Sequence, residues 1–179
     1  MDFNFTTLGT ASALPTNSRY PSAHVLNIRG RLFLIDCGEG TQMLLFRYGC
    51  SILKIDNIFI SHLHGDHCFG IFGLLSSMGM KGRTSKLTIH APAVFKDVLD
   101  MFLRHFEGDA IKYEIVHNVL DGSVRGELSK IFESRNIEVY SFPLNHRVPT
   151  YGFLFREKAP ALNVVKSKIE EYQDRKSTR

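Results

Sequence analysis

Cysteine is scarce and odd in number. Cys37, Cys50 and Cys68 cannot close a disulfide framework without leaving a thiol over, so a reducing, cytoplasmic setting is expected. No basic, apolar leader follows Met1. The most apolar stretch, 69–80, is too short to span a bilayer and is broken by glycine and serine, so no membrane association is expected. Charge of one sign is not abundant either. The formal net charge is +4, and Asp174, Arg175, Lys176 and Arg179 supply +2 of it, which makes the excess weak evidence for a nucleic-acid partner. Gly9-Thr10-Ala11-Ser12-Ala13 lacks the Gly-Lys-Ser/Thr that a phosphate-gripping loop requires, and reads instead as a turn near the functional site.

What is present is enough apolar material for one domain: 179 residues, 44% of them hydrophobic. Residues 3–8 alternate as a first strand, and 9–21 form a loop rich in Gly, Ser, Thr and Pro. Runs 25–28 and 31–37 flank a Gly30 turn and predict a hairpin, the second run being apolar enough for a central strand. A helix is expected over 41–48, ended by Gly49, a strand over 55–60, and a buried helix over 69–80. Residues 81–84 read as a basic turn and 87–90 as a strand. Pro92 is expected to open an amphipathic helix running to 106, with further strands over 112–116, 130–133 and 137–142. Strands first and strand–helix alternation afterwards predict an α/β (α+β) protein, with sheets packed together and helices outside. The body is expected to span 1–158. A polar helix capped by Asn163 and running to 172 is expected to begin an arm over 159–173. Residues 174–179 match the translation of a short-read sequencing adapter, so a non-native tail is expected there, with the native protein continuing past about residue 172.

The chain is organised around Ser61-His62-Leu63-His64-Gly65-Asp66-His67, which follows a strand-like run and precedes a helix-like one. On extended backbone His62 and His64 point the same way, whereas Asp66 and His67 turn with the chain into the helix, Gly65 allowing the turn. One loop can thus feed two adjacent metal ions. Imidazole and carboxylate without thiolate suit a catalytic zinc with an open position. His146, in Asn145-His146-Arg147-Val148-Pro149, lies just past a predicted strand and would complete a three-histidine zinc site with His62 and His64. Asp36 ends an apolar run, and two uses stay open for it: orienting a metal-bound histidine, or capping the helix that follows. His24, His90, His105 and His117 have no partners in the pattern and are expected in surface or satisfied core positions.

These residues resemble the ribonuclease Z family of the metallo-β-lactamase fold. The carriers are Leu8-Gly9-Thr10, Asp36-Cys37-Gly38-Glu39-Gly40-Thr41-Gln42, the 60–67 loop, Gly70 with Gly73-Leu74-Leu75, and His146-Arg147-Val148-Pro149 with Tyr151-Gly152. The resemblance implies an αββα sandwich of which this chain is an N-terminal portion. It also implies a two-zinc endoribonuclease that removes the 3′ trailer from precursor tRNA and leaves a 3′-hydroxyl. By the same resemblance His62, His64 and His146 would hold one zinc and Asp66 with His67 the other, Asp66 also taking the proton of the attacking water. A homodimer is implied, with a protruding arm that grips tRNA. The family's bridging aspartate, further histidine and leaving-group histidine would lie beyond this chain, so it is expected to be a poor nuclease that holds one zinc well. Another dinuclear hydrolase on the same fold, a small phosphodiesterase or an arylsulfatase-like enzyme, shares the metal loop, and a non-catalytic binding module is a further alternative.

Overall fold

The hairpin of β2 (Ala23–Ile28) and β3 (Arg31–Cys37) turns at Arg29-Gly30, where both residues have positive φ. The computed structural model to which it belongs describes residues 3–14, 16–107, 110–122 and 126–159, so the expected arm past residue 159 and the tail lie outside the described residues. β1 (Phe3–Gly9) adds antiparallel to β2. On the other side β4 (Ile55–Phe59), β5 (Leu87–Pro92) and β6 (Ile115–Leu120) add in parallel, giving a six-stranded sheet in chain order. A second, antiparallel sheet holds β7 (Ser129–Glu133), β8 (Ile137–Leu144) and β9 (Thr150–Glu157).

The period-2 alternation of β2 and β3 sorts the two faces. Val25, Leu34 and Cys37 join Leu44, Leu45, Leu74, Leu75 and Met78 on the helical side, with α1 (Thr41–Arg47) and α3 (Ile71–Met80). Leu26, Ile28 and Phe33, with Phe59 of β4, face Ile137 and Val139 of β8. There the Phe33 and Phe59 rings meet those of Phe153 and Phe155 edge-on, at centroid separations of 5.2–5.6 Å. Helix, sheet, sheet is the layering among the described residues, as expected for the first part of an αββα sandwich.

Several boundaries differ from the sequence expectation. Pro92 ends β5 instead of opening a helix; α4 is Phe95–Phe102 and continues in a π-helical turn, Leu103–Glu107. Ladder pairing of β4 to β5 stops at His90, so an imino nitrogen at 92 removes no sheet bond on that side. The strand expected over 112–116 begins only at Ile115, because Tyr113 is buried with its hydroxyl donating to Leu75 O at 3.0 Å. The helix expected over 69–80 is α3, which starts at Ile71, and a separate short helix that was not expected, α2 (Gly65–Cys68), precedes it, the two being broken at Gly70. Gly70 N–H donates to Cys37 O at 2.9 Å, and a Cβ there would collide with the Gly38 carbonyl. Strand β9 went unread, although Tyr151, Phe153 and Phe155 alternate inward. Among the described residues no helix is long and apolar enough to cross a membrane.

Between the sheets, His90 is buried and satisfied, as expected. Its Nε2 lies 3.1 Å from Asn57 Oδ1, its Nδ1 2.8 Å from Asn118 Nδ2, and its ring stacks on Phe59. Burial, then the charge of His117, push its pKa down to about 4. An unfolded histidine titrates near 6.5, so the neutral ring stabilises the fold fully above that pH, and the contribution is lost as pH falls from 6.5 through 4. Between pH 7 and pH 4.5 wild type is expected to lose about 2 kcal/mol more than His90→Gln. Urea midpoints at both pH values measure it; parallel losses in the two proteins would sink the assignment.

Candidate metal centre

The loop after β4 and the loop between β8 and β9 belong to different sheets. A backbone hydrogen bond, Tyr151 N–H to Ser61 O at 2.9 Å, ties the start of β9 to the first residue of the histidine loop. His146, exposed in the second loop, is thereby carried to His62 and His64. The three rings stand edge to face at interplanar angles of 78°, 80° and 79°, with centroids 4.8–5.3 Å apart. One nitrogen from each lies within 4.8 Å of the others, and His62 Nε2 is 3.1 Å from His64 Nδ1. Two nitrogens each about 2.0–2.1 Å from a tetrahedral zinc are about 3.3 Å apart, a spacing that the His62–His64 pair matches and that the His146 nitrogen, within 4.8 Å, approaches.

The His62 ring is aimed by what its other nitrogen touches. Ser61 Oγ sits 3.0 Å from His62 Nδ1, leaving Nε2 to face the cluster. Burial, then the charge of His67, lower the His62 pKa to about 4, so the ring is neutral at pH 7 and its lone pair is available. His64 occupies the N-cap position of α2 with extended backbone, which directs it back toward His62.

Of the two uses left open for Asp36, the helix cap is not formed. Helix α1 has no side-chain cap; its N-cap is Gly40. The buried Asp36 carboxylate instead accepts from Ser61 N–H at 2.9 Å, Ser22 Oγ at 3.0 Å and His67 Nδ1 at 2.6 Å. It does so from a positive φ of 55°, a conformation Asp tolerates better than bulkier residues. Burial alone would lower the His67 pKa, but the Asp36 hydrogen bond and charge hold it above the ordinary value. His67 Nε2 is left 3.6 Å from Asp66 Oδ2, so the second pair also converges.

The 9–21 loop does reach the site. Ala13 N–H donates to Asp66 Oδ2 at 2.8 Å. Burial would raise the Asp66 pKa, but the Ala13 N–H and the His67 charge outweigh it and hold the carboxyl below its usual value. Ala13 and Ser61 were missed by sequence reasoning; the signal for Ala13, a positive φ of 57°, exists only in the fold. Gly65 stands where the chain turns from extended His64 into α2; its φ is not positive, and its missing side chain makes room for the Phe69 ring. Among the described residues the three imidazoles form the one group of three or more metal-ligand side chains, and Asp66 with His67 remains a pair.

The chain is similar to known proteins in sequence and in structure. A family model described as "Anti-Pycsar protein Apyc1" matches residues 3–162. A curated relative from Parabacteroides distasonis named ribonuclease Z is 41% identical over 176 residues, covering 96% of this chain and 55% of its own length. The chain thus spans about half the length of the curated relatives it matches. Human tRNase Z, short form, superposes with a TM-score of 0.74 at 33% identity, over 86% of this chain and 64% of its own. A metallo-β-lactamase fold protein from Bacillus subtilis, at 18% identity and a TM-score of 0.65 over 85% and 56%, shares the fold. Fold and family imply binding of a divalent metal.

Proposed function

The chain belongs to the family described as anti-Pycsar protein Apyc1, on the metallo-β-lactamase fold, and its curated relatives are named ribonuclease Z; from that premise we propose that its activity is that of a zinc-dependent endoribonuclease removing the 3′ trailer from precursor tRNA. The observation that carries the reading is the meeting of His62, His64 and His146, from loops of two sheets, beside the Asp66–His67 pair, whose imidazole lies 4.0 Å from that of His62. In this reading the three histidines hold one zinc, and Asp66 with His67 hold a second. Bound zinc acidifies water at the site and offsets charge gathering on the phosphodiester. Ser61 and Asp36 hold the His62 and His67 rings in the tautomers that present Nε2. Ala13 N–H occupies Asp66 Oδ2, so Oδ1 remains to take the proton of the attacking water, and the lowered pKa keeps the carboxyl ionised at neutral pH.

Asp36→Asn keeps the size and tolerates the positive φ, yet offers one acceptor where three donors converge. Affinity for the weaker zinc, the one assigned to Asp66 and His67, is expected to fall roughly 10–100-fold, read as the second phase of competition with a chromogenic chelator. Wild-type affinity in this variant would remove the orienting role.

The family resemblance needs ligands beyond the three imidazoles and the Asp66–His67 pair. Zinc titration of the 179-residue chain is therefore expected to saturate near about one tight site, with slow trailer removal leaving a 3′-hydroxyl. Bound zinc near zero would overturn the reading and favour a non-catalytic module. Fast, complete trailer removal would overturn the expectation of weak activity. A second reading, hydrolysis of a smaller phosphodiester, is favoured by the family description carrying a different name from the relatives. Parallel assays on trailer-bearing precursor tRNA and on bis(p-nitrophenyl) phosphate separate the two. A cytoplasmic location and a homodimer complete the proposal, the second tested by light scattering.

A further inference from the structure

A cleft of about 420 Å³ opens beside the metal loop, lined by Leu14, Pro21, Glu39, Gly65, Asp66 and Phe69. That volume lies within the roughly 300–1,000 Å³ of small-molecule sites. Phe69 is 65% exposed and Leu14 76%, so neither is placed for packing in the core. The ring is nevertheless mounted rigidly. Its backbone N–H donates to Gly65 O at 2.9 Å, and the next residue, Gly70, is pinned to Cys37 O at 2.9 Å. One side of the ring rests on Gly65 where a Cβ would otherwise stand. The Glu39 carboxylate makes no hydrogen bond or ion pair among the described residues and is exposed, which disfavours a phosphate in this cleft and supplies an acceptor for amino groups.

We propose that Phe69 and Leu14 form a stacking platform for the nucleobase that flanks the scissile phosphodiester, with Glu39 accepting from bases that carry an exocyclic amino group. The inference rests on the RNA-cleaving reading above and names where that substrate is gripped. Asp66 belongs to the metal loop and also lines the cleft, so a phosphodiester seated at the metal abuts it. Aromatic faces recognise unpaired bases in this way, and each stacked base contributes substantially to affinity.

The test is a double-mutant cycle on binding to the 179-residue chain. A 5′-fluorescein-labelled five-nucleotide single-stranded RNA is titrated by anisotropy at fixed salt, with an abasic residue at each position in turn. Phe69→Ala is expected to weaken binding of the intact RNA roughly 5–100-fold. One abasic position should reproduce that loss and show no further loss when combined with Phe69→Ala. Phe69→Trp should retain affinity and Phe69→Leu lose most of it, and uracil at the stacked position should bind more weakly than adenine, cytosine or guanine. Zinc content, measured alongside, is expected to be the same in every variant. Equal binding by wild type and Phe69→Ala, additive losses in the cycle, or no binding by a zinc-loaded wild type would each overturn the platform. Loss of zinc from wild type itself would instead overturn the metal-centred function, so the two failures are distinguishable.

Discussion

Alanine at His146 is expected to leave the chain with less than roughly a tenth of the zinc that the unaltered protein retains after dialysis against a fixed free-zinc buffer. The size of the effect follows from the donor set. Loss of a group that merely orients a ligand costs roughly 10–100-fold in affinity, and loss of one of three coordinating nitrogens costs more. His146 is exposed on the loop between β8 and β9, so its removal leaves no buried cavity. Urea unfolding of the two proteins in the presence of chelator should therefore agree within about 0.5 kcal/mol. Metal analysis that finds equal zinc in both would dissolve the three-imidazole site.

The largest effect on stability is expected at Arg83, whose side chain is 1% exposed. Its Nε donates to Ser85 O at 2.9 Å, Nη1 to Ile55 O at 3.0 Å, and Nη2 to Lys86 O and Asp56 Oδ1, both at 2.8 Å. The guanidinium also lies over the Tyr113 ring at 5.5 Å. It thereby stitches the start of β4 to the turn before β5. Arg83→Met keeps the length of the stem and removes every donor, leaving backbone carbonyls without partners in a site that excludes most water. Each such acceptor costs about 1–3 kcal/mol, so a loss of about 3 kcal/mol or more is expected, a large share of a typical domain's stability. Lys96→Ala, which breaks an exposed i, i+4 pair with Asp100, is the control and should change stability by less than about 0.5 kcal/mol. A midpoint shift for Arg83→Met no larger than that of Lys96→Ala would show that the stitching carries no weight.

Arg83 also marks where sequence reading stops. Arginine between lysine, glycine and threonine looks like a solvated turn, because nothing local says that the carbonyls of Ile55 and Lys86 converge on it. Pro92 misled for a related reason: proline favours helix starts, yet here the neighbouring strand ends early enough for it to finish β5. What was legible is what depends on short-range pattern. The β2–β3 hairpin follows from Gly30 between alternating runs, and four ligand-type side chains within one strand-to-helix turn announce a metal loop. The His146 partnership was legible only as a bet on topology, and the bond from Tyr151 to Ser61 is what realises it. Ala13 could not be read at all, since its part is played by a backbone N–H that any residue would supply.

Because the imidazole donors come from loops of both sheets, an occupied centre would act as a clasp. Prising the two layers apart and releasing the ion become one event, described by a single linkage. Raising free zinc to a hundred times its dissociation constant would then add about 2.7 kcal/mol to the cohesion of the layers. Chelation would loosen that joint.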